Sequence, residues 1–380
     1  MKRFLIWTII VLIFLIIVNK ISKQFLNQTK YEKDTRINNI QKIYGNNYED
    51  YVKVLEQQNY PLLYTPFTEF REKERNLKFV SVSKYGNRCN KNDIEICQGP
   101  KGGKDEIWIF GGSSTFGYGL KNDETIAASL DQIIKGKKII NFGQAYFNST
   151  QNRIFFQNLL SYFPEPDTVI FFEGFNDFRN EHLLGYQYPG VSSLSKHYEN
   201  LFDTKEISSA DRFKQWLKNR FYRLNFVRLY KQLTNQEINI NQIKVEKIKN
   251  ENEAYEVLIK KLENNLKINK IIGDKFSINV INVMEPIGLS ENSYESSSLP
   301  SDYLKDIDKL LKHHKKIYHK IENDLDFFIN VDLNLINFQI KEKMFIDRAH
   351  FSEKFSRKIA EKKYDISRVN EKHLMIYNSF

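Results

Sequence analysis

The stretch Ile107–Gly119, IWIFGGSSTFGYG, decides the fold. An apolar run of strand type ends there in two glycines followed by two serines, so the chain turns sharply as it leaves a buried strand. Such a turn either cradles a phosphate or presents a nucleophile. The specific phosphate signatures are absent: SSTFGYG, after Gly112, has no Gly-Lys-Ser/Thr ending and does not fit Gly-x-Gly-x-x-Gly. Flavodoxin-type flavin loops are looser and stay open on pattern alone. The α/β-hydrolase elbow, Gly-x-Ser-x-Gly, fails at its last place, which Thr115 occupies.

Working outward, strands and helices alternate from about Asp105. EIWIFGG is followed by a helix at about Asp123 to Lys135, KKIINFG by a helix at about Thr150 to Tyr162, and DTVIFFEG by a long insertion at about 178–240. A helical stretch, ENEAYEVLIKKLENNLKINKIIG, then feeds the strand FSINVINVMEP; a helix around Tyr303 to Glu322 feeds DFFINVDLN; and MFIDRAHFSEKFSRKIAEKK opens the last element. Near-continuous apolar strands separated by amphipathic helices predict a parallel sheet covered on both faces, a three-layer α/β/α fold of flavodoxin-like type. The insertion carries DRFKQWLKNRFYRLNFVRLYKQL, whose apolar residues fall at helical spacing; a lid packed on the main domain is preferred over a membrane-surface or partner helix.

The chain divides on this reading into an N-terminal anchor at 1–21, a polar stalk and β-rich lead-in at 22–104, the main domain at 105–365, and a C-terminal tail at 366–380. After Met1-Lys2-Arg3 comes an uncharged apolar run, Phe4 to Val18. Fifteen helical residues span about 22 Å, short of the roughly 30 Å hydrocarbon core, but Met1 and Ile21 extend the run and Lys2, Arg3 and Lys20 can snorkel. No small-x-small cleavage pattern follows, which predicts an uncleaved signal anchor and transmembrane helix rather than a removed signal peptide. The basic start favours a cytoplasmic N-terminus, with the catalytic domain periplasmic or otherwise extracytoplasmic.

Composition agrees with a folded domain: 41% hydrophobic and 14% aromatic residues argue against disorder. The net charge of +10 comes from lysines interspersed with acids, as in KVEKIKNENEAYEVLIKKLENN, and forms no basic block of the kind that would indicate nucleic acid. In an oxidising compartment the two cysteines, Cys89 and Cys97 in CNKNDIEIC, are placed to close a small loop; a metal site would need further ligands, and none sit nearby.

Open α/β sheets place their chemistry beyond the carboxyl ends of the strands. Four blocks fall there: Gly111–Ser114 (GGSS), Gly143 within NFGQAYFNS, Gly174–Asp177 (GFND), and Asp347–His350 (DRAH). A serine hydroxyl is a poor nucleophile until an imidazole accepts its proton, and a carboxylate that fixes the imidazole tautomer makes that imidazole effective. Ser113, His350 and Asp347 supply those three groups. The backbone N–H groups of Ser113 and Gly143, with the side-chain amide of Asn176, can form an oxyanion hole. Each block alone has a blander meaning: Ser113 a turn residue, Ser114 or Thr115 a helix cap, Asn176-Asp177 a loop turn, His350 a surface residue. What lifts them is their joint position at strand ends.

In order and content the four blocks resemble the SGNH hydrolases, also called the GDSL esterase/lipase superfamily, over about residues 105 to 365. Carried over by position, the resemblance implies Ser113 as nucleophile, Gly143 and Asn176 as hole donors, and Asp347 and His350 as the other triad members. Gly112 stands where the family name has Asp and Ser114 replaces its Leu, so the turn must be held differently. Both variations, and the lead-in YTPFTEF...FVSVSKYGNR, look similar to membrane-anchored bacterial members. The expectation is a membrane-tethered serine esterase that needs no metal or organic cofactor. Its substrate would be an acylated glycan, with O-acetyl removal or transfer, or alternatively a lipid ester. A tethered scaffold without turnover is the competing class.

Overall fold

The computed structural model describes residues 7, 13–23, 35–59, 62–91, 97, 99–177, 224–225, 227, 230, 251–285, 328–329, 345–347 and 350–361. The chain falls into two compact units, Met1–Ile37 with Lys196–Lys244, and Asn38–Ser195 with Val245–Phe380. In the first unit residues 13–23 form helix α1. There Asn19 accepts, through its side-chain oxygen, a hydrogen bond of 2.6 Å from the Asn225 backbone N–H, and Ile13, Phe14, Ile16 and Ile17 are exposed. Among the described residues no helix is long and apolar enough to cross a membrane; residues 4–6 and 8–12 of the apolar run lie outside them.

The second unit holds helices α2 (Thr35–Tyr44, entering this unit at Asn38), α3 (Tyr48–Gln58), α4 (Ser113–Phe116), α5 (Ile126–Ile133), α6 (Ser149–Leu160), α7 (Glu251–Phe276) and α8 (353–361). Its strands are β1 (Leu63–Thr65), β2 (Glu69–Arg71), β3 (Arg75–Asn76), β4 (Ser81–Val82), β5 (Gly103–Gly111), β6 (Lys138–Asn141), β7 (Pro166–Glu173), β8 (Asn279–Met284) and β9 (Phe328–Ile329). The last five form one parallel sheet in the order β6-β5-β7-β8-β9. Numbered from β5, that is the 2-1-3-4-5 order of flavodoxin-like folds, whose switch point lies between the first and third strands. The expected parallel α/β sheet is therefore present.

Alternation along β5 explains the three layers. Ile107 and Ile109 face one side, where they pack with Ile126 and Leu130 of α5 and Phe355 and Ile359 of α8. Trp108 and Phe110 face the other, and Phe110 stacks on Phe142 and Phe171 and meets the edges of Phe155 and Phe156 of α6. Both faces are thus apolar and covered, which the unbroken hydrophobic run required. Burying each such ring contributes about 1.5–3 kcal/mol before entropy is counted.

One expectation changes. The stretch read as a stalk is, from Asn38 on, part of the folded body: Ile40, Tyr51 and Leu55 bury against Leu120 and Ile346, and Val54 packs with Phe79, Val82 and Phe116. The lead-in is likewise fused to the sheet, since the Arg88 N–H donates to the Asn141 carbonyl at the edge of β6. Of the insertion, Lys196–Lys244 groups with Met1–Ile37. Most of the insertion, the helix expected at 303–322 and the tail at 366–380 lie outside the described residues.

Cys89 and Cys97 are joined in a disulfide with Cα atoms 5.0 Å apart, next to Arg88. Closing a loop this short contributes about 2.5 kcal/mol through the entropy of the unfolded chain. The double variant Cys89→Ser/Cys97→Ser is expected to lose about that much, read as a lower urea midpoint at unchanged slope; an unchanged midpoint would mean that the bridge does not constrain the unfolded chain.

Candidate active site

β5 ends at Gly111, Gly112 is extended, and α4 begins at Ser113. The two glycines answer the question raised by the sequence. A Cβ on Gly111 would collide with Thr115 and the Phe172 carbonyl, and one on Gly112 would collide with the amide nitrogen of Asn176. The turn is closed from behind by Arg88, a fully buried guanidinium that donates to the carbonyls of Phe116 (2.8 Å), Gly117 (2.7 Å) and Leu120 (2.5 Å) and lies over the Phe116 ring. Burial first, and Arg75 second, pull this guanidinium down to about 9, and Glu72 opposes them, so it stays cationic at neutral pH. From α3, Gln58 donates to the Gly117 carbonyl at 2.9 Å and accepts from the Gly119 N–H at 2.6 Å.

Across the sheet edge, the chain before α8 brings up a base. Phe345 pairs with Phe351, and the Ile346 N–H donates to the His350 carbonyl at 2.8 Å, which closes a tight loop. From within that loop the His350 Nε2 lies 2.8 Å from the Ser113 Oγ, and its Nδ1 lies 2.7 Å from Asp347 Oδ2 and 2.8 Å from Oδ1. An ionised carboxylate only accepts, so Nδ1 carries the proton toward Asp347 and Nε2 is left to accept from the serine hydroxyl. Asp347 and His350 keep 17% and 16% of their side-chain surface exposed, and Ser113 is half-buried, so the three groups are in reach of a substrate. The Tyr118 ring flanks the imidazole with centroids 4.6 Å apart.

The oxyanion donors divide. Asn176, in the turn after β7, is buried beside Gly112; its amide donates one hydrogen to the Phe147 carbonyl at 2.8 Å and keeps a second. The Ser113 N–H opens a helical turn, where the first amides have no acceptor of their own within the helix. Gly143 does not fit its assigned role. Its N–H donates to Asn141 Oδ1 at 2.9 Å, and a Cβ there would collide with the backbone of Thr115 and Phe116. Gly143 is therefore a close-packing position whose hydrogen is already taken by Asn141. Asn141, which also donates to the Thr115 carbonyl at 3.0 Å, sets that packing.

Behind the turn lies a buried acidic layer that sequence reading missed. Glu173 ends β7, Glu285 follows β8, and Asp177 accepts from the N–H and hydroxyl of Ser149 at the start of α6. Burial, reinforced by Asp177 and Glu285, raises Glu173 well above the usual carboxyl range, and the Asn152 amide opposes it. Burial also pushes Glu285 up to about 7, with Asp177 adding to the rise, while bonds from the Ser114 hydroxyl and the Phe175 N–H pull it back. Among the described residues no group of His, Cys, Asp or Glu is arranged to hold a metal ion.

Fold and site together define an open parallel α/β sheet carrying an assembled Ser–His–Asp constellation at its switch point. No protein-family model matches the chain, and no curated protein does. Solved structures similar to it include a member of the lipolytic protein G-D-S-L family from Veillonella parvula DSM 2008, at 13% identity and TM-score 0.35, covering 69% of this chain and 97% of that one. They also include the acetyl xylan esterase AlAXEase, at 15% identity and TM-score 0.31 (69% and 98% covered), and a possible lipase from Chitinophaga pinensis DSM 2588, at 15% and 0.27 (70% and 98%). Likenesses of this degree do not bear on what the chain does; the side-chain geometry does.

The raised carboxyls set a pH dependence. Unfolded glutamate titrates near 4.3. A folded-state value of about 7 means that Glu285 contributes stability fully present below roughly pH 4 and lost as pH rises through 7. Urea denaturation of the wild type at pH 5 and pH 8 is expected to show lower stability at pH 8. Glu285→Gln should shrink that difference by about 2–3 kcal/mol. An identical pH dependence in both proteins would mean that Glu285 is ionised in the fold.

Proposed function

We propose that the chain is a serine esterase that hydrolyses or transfers acyl groups through an acyl-Ser113 intermediate. The observation that carries this reading is the pair of contacts 2.8 Å and 2.7 Å long that run from the Ser113 hydroxyl through the His350 imidazole to the Asp347 carboxylate. As Ser113 Oγ attacks the ester carbonyl, His350 takes its proton and Asp347 stabilises the imidazolium that results. Negative charge forms on the carbonyl oxygen, met by the Ser113 N–H and the second amide hydrogen of Asn176. Collapse expels the alcohol, which receives the proton from His350. Water, or a sugar hydroxyl in the transfer reaction, then repeats the sequence to release Ser113.

A membrane tether and an extracytoplasmic site complete the reading. They are supported by the uncharged run at Phe4 to Val18, by the exposed apolar side chains of α1, and by the Cys89–Cys97 disulfide, a feature of oxidising compartments. For a site held at an envelope surface, the first substrate class is an O-acetyl ester of a cell-envelope glycan. A scaffold without turnover would have no need to keep three chemical groups in contact.

Full-length protein in detergent is expected to react with a fluorophosphonate probe and to hydrolyse p-nitrophenyl acetate faster than the longer-chain esters of a C2 to C12 series. Ser113→Ala should abolish labelling and cut kcat by roughly ten-thousand-fold or more, and Asn176→Ala should cut it about a hundred-fold. Preference for long chains would move the substrate to lipids. No labelling of the wild type would favour the scaffold.

A further inference from the structure

Ser114 takes the place of a leucine in the motif that the nucleophile block resembles, and its hydroxyl is buried. A buried hydroxyl needs a partner, and this one donates to Glu285 Oε1 from the other side of the switch point. The same carboxyl group accepts the backbone N–H of Phe175. Ser114 adjoins the nucleophile Ser113, and Phe175 adjoins the hole residue Asn176. One side chain thus joins the two turns on which the chemistry depends, and its own backbone N–H is fixed to the Glu173 carbonyl at 2.8 Å. Glu285, Ser114 and Phe175 are 3%, 2% and 5% exposed, so water does not compete for these bonds.

We propose that Glu285 is a positioning residue, whose carboxyl group clips the nucleophile turn to the oxyanion turn and so keeps Ser113 and Asn176 in one register. The clip touches neither substrate nor reacting atoms. It replaces the apolar packing that a leucine would give with two directional bonds, which fix an angle as well as a distance. The charged groups facing it are Asp177 and Glu173 at the end of β7, both acidic, so the clip is held by hydrogen bonds and not by an ion pair. Glutamine has the shape, an oxygen to accept the Phe175 N–H and an amide nitrogen that can donate to the rotatable Ser114 hydroxyl, so it can keep both bonds with the second reversed; alanine can make neither.

The inference rests on the esterase reading, and the experiment separates the two. Full-length wild type, Glu285→Ala, Glu285→Gln, Ser114→Ala and the double variant Ser114→Ala/Glu285→Ala are compared for fluorophosphonate labelling rate and for kcat and KM on p-nitrophenyl acetate, with circular dichroism as the folding control. Glu285→Ala is expected to lower kcat by about tenfold or more at a KM within about twofold, and Glu285→Gln to restore it to within about threefold. The double variant should be no slower than Glu285→Ala alone, since the two residues share one bond. Glu285→Ala at wild-type kcat, Glu285→Gln as slow as Glu285→Ala, or independent effects of the two sites would overturn the clip. If Glu285→Ala does not fold, Ser114→Ala decides: a several-fold fall in kcat at unchanged KM supports the clip, and wild-type kcat overturns it. An unlabelled wild type overturns the nucleophile assignment and the clip with it.

Discussion

The structure turns on one hydrogen bond between groups 237 residues apart, from the Ser113 hydroxyl to the His350 ring. A serine and an imidazole exchange a proton only when held within hydrogen-bond reach, and a misplacement of about 1 Å can cost a hundred-fold in rate. The sheet brings the Ser113 and Asn176 turns together coarsely, because the parallel strands β5 and β7 end at one edge. Fine placement falls to buried polar contacts. Arg88 and Gln58 hold the carbonyls that follow α4, and the Phe345–Phe351 pairing holds the histidine loop.

Those contacts give the N-terminal helices a part that their composition conceals. Asn39 of α2 donates to the Ile346 carbonyl, one residue before Asp347, while Gln58 of α3 grips Gly117 and Gly119 beyond Ser113. The two helices thus brace the histidine side and the serine side of the same bond. Ile346 itself is buried among Ile40, Tyr51, Leu55 and Leu120, so the brace is apolar at its centre and directional at its ends. The lead-in works alongside it, since Arg88 links the edge of β6 to the turn after α4.

How much of this could be read in advance follows from the kind of signal each part carries. The parallel sheet was legible because the runs Ile107–Phe110 of β5 and Val169–Phe172 of β7 are buried on both faces and are apolar throughout. Ser113, Asn176, Asp347 and His350 were legible as a set, because four short blocks at strand ends constrain one another. Gly143 was misassigned because a glycine after a strand signals close approach without saying what approaches; the partner is the Thr115–Phe116 backbone. The brace was hidden under Asn, Gln, Lys and Tyr. Even so, Tyr51, Val54, Leu55 and Gln58 are all buried at i, i+3, i+4 and i+7, a helical stripe that was open to inspection. Glu285 gave no signal, since a single glutamate after a strand has many readings and its partners are known only from the order of the strands.

For the proposed esterase the acidic layer behind Ser113 poses an electrostatic problem, which burial eases. Ester attack builds negative charge on the substrate oxygen, and ionised carboxylates packed behind Ser113 and Asn176 would oppose it through a poorly screened interior. Burial, however, disfavours the anion: Glu173 is raised well above its ordinary range and Glu285 to about 7. Burial thus weights Glu173 toward its neutral form, and Glu285, at about 7, is poised between forms. Of the three acids, Asp177 is the one tied to the N-terminal end of α6, where the Ser149 N–H and hydroxyl satisfy it and the helix dipole favours negative charge. The layer thereby supplies hydrogen-bonding rigidity to both turns, while burial disfavours the negative form of the two glutamates within it.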